Sequence, residues 1–168
     1  MLIIFGHNNY NIYLRVGLLL MDEKYMAMAL KQAQIAYNNG DIPVGVVIEK
    51  DGKVLAKAYN KKALLKDPIK HAEIIAIENA CKKVGDFRLE GANIYVTKEP
   101  CIMCLGAILS ARIDNVYFGA YDKKYSILDV VHKIQFNHKS NLVGGVMEKE
   151  CSKILSDFFE ELRCKHKH

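Results

Sequence analysis

Three side chains that can bind a metal stand at the starts of two predicted helices. His71 precedes one apolar-periodic segment, and Cys101 and Cys104 open the next one, directly after Pro100. Since the two cysteines are three residues apart, a helix carries both sulfurs on one face of its first turn. The helix dipole and the unpaired N–H groups of that turn favour thiolate over thiol, and thiolate is the form that binds metals.

One imidazole and two thiolates supply three ligands for a tetrahedral Zn²⁺ ion. An open fourth position distinguishes catalytic zinc from structural zinc, and no fourth ligand at zinc-finger spacing accompanies these residues. Because two thiolates already neutralise the formal charge of Zn²⁺, the metal acidifies water less than a site of three histidines would, and a nearby base is needed. Glu73, two residues after His71, is placed to take a proton from water and pass it to a leaving nitrogen.

Each of these residues alone has an ordinary interpretation. A single C-x-x-C is equally typical of a redox pair, a structural zinc site or buried cysteines; a histidine at a helix start is more often no ligand, and a first-turn glutamate is usually solvated. The combination is specific, because H-x-E and P-C-x-x-C both begin predicted helices and lie 30 residues apart. Together they form the signature of zinc-dependent nucleobase deaminases.

The composition describes one globular domain. A chain of 168 residues with 51% hydrophobic and 26% charged residues excludes a largely disordered chain, a collagen-like repeat and a coiled coil. Five cysteines are too few for a disulfide scaffold, so we expect a reducing compartment, the cytoplasm. A net charge of +5 permits a polyanionic partner such as RNA without requiring one.

The first twenty residues differ from the rest of the chain. Residues 1–20 are apolar with Arg15 as their single charge, and Gly6 and several asparagines interrupt them. The interruptions exclude a membrane span, and the mid-segment charge fits a signal peptide poorly. We interpret residues 1–20 as an atypical leader that precedes a native start at Met21, followed by a single deaminase domain over 21–168. An extra strand or a dimer contact is the equally weighted alternative.

From Met21 onward, helical and extended patterns alternate. Apolar periodicity predicts helices over 22–39, 71–84, 101–112 and 147–164, with a short helix around 127–132. Strands are predicted over 44–49, 53–60, 93–97 and 116–118 and near 142–146, and Asp51-Gly52 predicts a hairpin between the first two. A polar, lysine-rich loop is expected over 61–70. This order predicts one mixed sheet with helices on both faces.

Beyond the zinc motif, the sequence from Met21 to Arg163 resembles the bacterial tRNA-specific adenosine deaminases. The segments that carry the resemblance are 42–45, Asn60, 67–68, 71–74, 95–97, 99–104, 112–113, 116–120, 137–138 and 156–159. Cytidine, deoxycytidylate and guanine deaminases share the zinc motif, so the preference for adenosine in tRNA depends on 42–45, 116–122 and 156–159.

The resemblance implies a fold, a reaction and a set of site residues. The fold is a cytidine deaminase-like three-layer α/β/α sandwich with a central five-stranded mixed sheet. The reaction is hydrolysis of adenosine to inosine at the wobble position of a tRNA anticodon stem-loop, by a homodimer with one Zn²⁺ per subunit. His71, Cys101 and Cys104 then bind zinc. Glu73 shuttles protons, and Asn60 hydrogen-bonds the flipped adenine. Further substrate contacts are implied for Ala72, Pro100, Asn137, Phe158, Phe159 and Arg163.

The RNA contacts are the less specific part of this prediction. At helical spacing, one of Phe158 and Phe159 belongs to the core, which leaves the other free to stack on a base. Lysines are expected to contact phosphates, although most exposed lysines have no such role: Lys61, Lys62, Lys66, Lys70, Lys123, Lys124 and Lys139. The chain also departs from the family after Asp122, where a longer, glycine-rich loop is usual.

Two other functions remain open from the sequence. A deaminase of a free base or nucleoside, of the guanine or cytosine type, would use the same zinc chemistry without a basic groove. An RNA-binding or assembly subunit would keep zinc for structure alone. Glu73 argues against the second alternative, since a structural site has no use for a proton shuttle.

Overall fold

The computed structural model describes the backbone of residues 9–129, 131–133 and 135–165 and, from Asp22 onward, their side chains except that of His132. Five strands form one sheet: β1 Gly45–Lys50, β2 Lys53–Tyr59, β3 Asn93–Lys98, β4 Asn115–Ala120 and β5 Asn141–Gly144. Their order is β2-β1-β3-β4-β5. β1 is antiparallel to β2 and β3, whereas β3, β4 and β5 are parallel. The predicted five-stranded mixed sheet is confirmed.

Helices cover both faces of this sheet. They are α1 Asn9–Asn38, α2 Lys62–Leu65, α3 Ala72–Val84, α4 Ile102–Ser110 and α5 Glu148–Lys165, with 3₁₀ turns at Ile127–Asp129 and Val131–Lys133. α1 and α5 pack on one face, and α3 and α4 pack on the other. This is the predicted three-layer α/β/α sandwich. None of the helices in the described part of the chain combines the length and apolarity needed to cross a bilayer.

Close packing fixes α1 against β1. Small residues of α1, among them Ala29 and Ala33, are fully buried. A Cβ atom added to Gly45, the first residue of β1, would lie 2.0 Å from the carbonyl oxygen of Ala29. Glycine is therefore required where the helix backbone meets the strand, and this contact fixes the segment that enters β1.

The hairpin signal in the sequence is confirmed. Asp51 and Gly52 have φ values of 53° and 76°, the pair of positive φ angles that a type I′ turn requires. The turn joins β1 to β2, so that the last residue of β2 lies beside the first residue of β1.

Three predicted elements differ in the structure. α1 starts at Asn9, so the alternative of an extra strand is wrong for residues 9–20, while residues 1–8 lie outside the described residues. The predicted helix around 127–132 is a pair of 3₁₀ turns. The segment 61–70 contains the short helix α2. Apolar periodicity could not predict it, because the helix is stabilised by Asp41, a residue far away in the sequence that accepts the N–H groups of its first turn.

Candidate active site

The sheet topology brings the two predicted motifs to one place. β2 runs parallel to β3 because both are antiparallel to β1. α3 follows β2 and α4 follows β3 on the same face of the sheet. The N-termini of α3 and α4 therefore meet at the edge where β2 and β3 end, the usual place for a site in a sheet of this kind.

Each of the three predicted ligand residues lies at a helix start, as expected from the sequence. His71 is the N-cap residue of α3 and Cys101 is the N-cap residue of α4, both with extended backbone angles. Cys104 lies in the first turn of α4 and is buried. Ala72, which follows His71, and Pro100, which precedes Cys101, are also buried.

The three ligand atoms form a nearly equilateral triangle. The distance is 3.6 Å between the sulfurs of Cys101 and Cys104, 3.7 Å from His71 Nδ1 to Cys101 Sγ and 3.6 Å from His71 Nδ1 to Cys104 Sγ. Tetrahedral zinc with ordinary bond lengths separates two sulfurs by about 3.8 Å and a sulfur from a nitrogen by about 3.6 Å. The donor set and its spacing therefore fit Zn²⁺, and among the described residues these three form a group able to hold a metal ion.

The cluster also favours the ionised form of one cysteine. The hydrogen bond with Cys104, together with the one to His71, lowers the pKa of Cys101 to about 3. The same contact with Cys101, together with burial, raises the pKa of Cys104. Contact with Cys101 also raises the pKa of His71. Since a metal binds thiolate and neutral imidazole, metal binding at this cluster releases protons.

Glu73 is a buried acid beside the ligand triangle. The residue is 4% exposed, and its Oε2 atom is buried with no hydrogen-bond partner among the described residues. Burial raises the pKa of Glu73 above its ordinary value. A carboxyl group with a raised pKa and a free oxygen is suited to accept and return a proton.

A cavity of about 170 Å³ opens onto these groups. It brings together the predicted residues Asn60, His71, Glu73, Cys101 and Phe159. The rest of its lining consists of Ile42, Val44, Lys62, Lys98 and Glu99.

The two phenylalanines of α5 divide as the helical spacing predicts. Phe158 is 5% exposed and packs edge-on against Tyr37, with ring centroids 5.5 Å apart. Phe159 is 40% exposed and lines the cavity. Arg163 is exposed, one turn further along α5.

Other predicted contact residues lie away from this cavity. Asn137 and Lys139 line a separate cavity of about 820 Å³ beside Leu109 and Leu142. The structure therefore does not bring Asn137 to the ligand triangle.

The predicted lysines are placed unevenly. Lys62 lines the cavity, and Lys66 lines a neighbouring cavity of about 500 Å³. Lys70 forms an ion pair with Glu78 at 3.3 Å, which lowers its value as a phosphate contact. The remaining predicted lysines are exposed or half-buried: Lys61, Lys123 and Lys124.

Sequence reasoning missed Glu99, a buried carboxylate in the cavity wall. Its Oε2 accepts the N–H of Asp122 at 2.8 Å, and its Oε1 accepts the Ser126 hydroxyl at 2.6 Å and the N–H of Ile127 at 2.7 Å. Lys98 forms an ion pair with Asp122 and lowers the pKa of that carboxyl to about 2. Lys98 and Glu99, the two residues before Pro100, thus hold the segment that begins at Asp122, in which the chain departs from the family.

Asp41 was also missed. It is 2% exposed and accepts a hydrogen bond of 2.6 Å from the Asn60 side chain. The one sequence signal for it is an acid directly before the Ile-Pro-Val-Gly segment.

Comparisons with known proteins match the chain to deaminases. Residues 20–163 match the family of MafB19-like deaminases. The tRNA-specific adenosine deaminase of Bacillus subtilis (strain 168) is 43% identical over 150 residues, which cover 87% of this chain and 93% of the relative. That of Aquifex aeolicus (strain VF5) is 41% identical over 145 residues, covering 84% and 95%.

A solved structure agrees with these sequence matches. It comes from work on tRNA deaminases that edit adenosine to inosine at the wobble position of transfer RNA, and it superimposes with a TM-score of 0.74 at 39% identity. The superposition covers 79% of this chain and 99% of that chain.

Proposed function

The chain belongs to the family of tRNA-specific adenosine deaminases, and we propose that it hydrolyses adenosine to inosine at the wobble position of a tRNA anticodon. The observation that supports this best is the buried carboxyl of Glu73, whose Oε2 has no hydrogen-bond partner among the described residues, beside a ligand triangle of zinc dimensions. A structural metal site needs no such group, whereas a deaminase must move protons from water to nitrogen.

His71, Cys101 and Cys104 are the residues that would hold one Zn²⁺ per subunit. When bound, Zn²⁺ supplies Lewis acidity that makes water a better nucleophile at neutral pH. The spacing of the three ligand atoms supports this assignment, as does the pKa of Cys101, which favours the thiolate.

Glu73 handles the protons of the reaction. Its carboxylate takes a proton from water as the oxygen bonds to C6 of adenine, and it returns the proton to the exocyclic nitrogen. The C6–N bond then breaks and ammonia leaves, so that adenosine and water give inosine and ammonia. Burial serves this role, because it raises the pKa of Glu73 and so makes its carboxylate a stronger base toward water.

The surroundings of the cavity suit a base that leaves its stack. A base in a folded anticodon loop reaches a recessed site by flipping outward. Asn60 offers hydrogen bonds in the cavity wall, and Phe159 offers an exposed ring at its rim. Lys62 and Lys66 place positive charge beside the entrance for phosphates.

We extend the proposal to a homodimer in the cytoplasm. Large apolar side chains are exposed on α4 and on the segment that packs against it: Ile102, Leu128 and Phe136. Burial of such side chains favours association with a second copy. A reducing compartment suits both the tRNA substrate and a site that needs free thiols.

The test is deamination of a defined substrate. Purified zinc-loaded protein is incubated with an anticodon stem-loop that carries adenosine at the wobble position, beside free adenosine, guanine and cytidine. Inosine in the stem-loop supports the proposal. Ammonia from the free compounds alone would assign the chain to the free-base or nucleoside deaminases. A lack of turnover by zinc-loaded protein would leave an RNA-binding subunit.

A further inference from the structure

Asp41 joins the cavity wall to the segment that carries Lys62. Its Oδ1 accepts the side-chain amide of Asn60 at 2.6 Å and the N–H of Ile42 at 2.9 Å. Its Oδ2 accepts the N–H groups of Ala63 at 2.8 Å and Leu64 at 3.2 Å, which begin α2. Asp41 does not line the cavity, so it acts through the residues that it holds.

This carboxylate determines the orientation of the Asn60 amide. Four N–H donors converge on its two oxygens, so Asp41 acts as an acceptor alone. An amide beside such a group must turn its NH₂ toward it, because two oxygens at 2.6 Å would repel each other. Among the described residues, the carbonyl oxygen of Asn60 and the second N–H of its amide have no other hydrogen-bond partner, so both can bind a ligand.

We propose that Asp41 is a positioning residue that fixes the amide of Asn60 in one of its two orientations and thereby sets where the cavity offers a donor and an acceptor to the target base. The inference rests on the proposed function, in which Asn60 contacts adenine. Adenine carries one donor group, the amino group that leaves, and acceptors at its ring nitrogens. A reversed amide would place donor against donor or acceptor against acceptor.

Substitution of Asp41 by asparagine separates orientation from folding. An asparagine at 41 can cap α2 through its oxygen when its NH₂ takes the place of Oδ1. That NH₂ no longer accepts the N–H of Ile42, and Asn60 must turn its carbonyl toward it. We expect kcat for the stem-loop to fall by about tenfold to a hundredfold, as for a lost or opposed hydrogen bond in a buried site. KM should stay within about threefold of the wild type, since contacts to phosphates are unchanged. Zinc content should remain one per chain.

Two further variants keep the proposal testable if Asp41→Asn does not fold. The reversed pair Asp41→Asn/Asn60→Asp restores the hydrogen bond but offers acceptors alone to the base, so it should recover the melting temperature and not kcat. Asp41→Glu keeps an acceptor-only group and should retain kcat within about threefold. Asp86→Asn is the matched control: it removes one negative charge and a hydrogen-bonded carboxylate beyond the far end of α3, and kcat should not change.

Each outcome decides the proposal. A folded Asp41→Asn protein with wild-type kcat, or a reversed pair as active as the wild type, overturns it while the proposed function stands. A wild-type protein that leaves the stem-loop unchanged overturns the proposed function and this inference together. A fall in kcat for Asp41→Asn that the reversed pair does not repair supports it.

Discussion

Glu73 is buried, its Oε2 has no hydrogen-bond partner in the part of the chain that the structure describes, and three side chains that could hold a metal ion lie beside it. Because burial raises its pKa, its ionised form costs folding free energy that a neutral side chain of the same size does not cost. We predict that Glu73→Gln lowers kcat by about a hundredfold or more, while the melting temperature stays at or above that of the wild type. Stem-loop deamination, zinc content and thermal unfolding measured on one preparation check this prediction. Retained activity would remove Glu73 from the proton pathway.

Cys104 has a fully buried side chain, and its sulfur belongs to the group that could hold a metal ion. We predict that Cys104→Ala loses bound zinc and lowers the melting temperature further than loss of packing alone would, because metal binding stabilises the folded state. Cys151 is the matched control, since it is equally buried but lies in the α1 and α5 layer. Cys151→Ala should have a lower melting temperature than the wild type and still carry one zinc per chain. A Cys104→Ala protein with full metal content would contradict the ligand assignment.

Local patterns predicted the elements that hold the ligands. The positions of His71 and Cys101 at helix starts could be predicted, because the change from extended to periodic residues is visible within a few positions. The partners of Asp41 and Glu99 could not be predicted in this way. Asn60 is 19 residues from Asp41 and Ile127 is 28 residues from Glu99, and buried carboxylates at such distances become partners only through the fold.

Glu99 links the start of α4 to the segment after β4. A glutamine at 99 can accept hydrogen bonds through one oxygen where the glutamate uses two, so at least one N–H of the segment loses its partner. We predict that Glu99→Gln lowers the free energy of unfolding by about 1–3 kcal/mol and speeds amide hydrogen exchange at Asp122 and Ile127. Urea unfolding and hydrogen exchange resolved by residue check this. Glu78→Gln, an exposed change on α3, is the control. Unchanged protection in Glu99→Gln would show that the segment is held by other contacts.

Across the whole molecule, the site depends on an arrangement of layers. α3 and α4 lie on one face and bring the ligands and Glu73 together, whereas α5 lies on the other face and brings Phe159 to the same edge. The net charge of +5 includes lysines at this edge, where an RNA backbone would pass, and others on distant surfaces. The composition is therefore compatible with RNA binding, but the sheet topology determines which surface carries the lysines beside the site.

The N-terminal boundary is a property of the whole chain that truncation can test. The described contacts between α1 and the sheet begin with Asp22, whose carboxylate accepts a hydrogen bond of 3.1 Å from the Tyr95 hydroxyl, and continue through Tyr25 and Met26 in the core. Asp22 and Glu23 would also place negative charge in the first turn of a helix that starts at Met21, which stabilises it. We predict that a chain starting at Met21 has a melting temperature within a few degrees of that of the full chain, which corresponds to a change of about 1 kcal/mol in the free energy of unfolding. Its kcat should equal that of the full chain. Sedimentation measurements of both chains at micromolar concentration separate the alternatives. A shift from dimer to monomer on truncation would assign residues 1–20 to a dimer contact, and loss of folding or activity would show that Met21 is not a sufficient start.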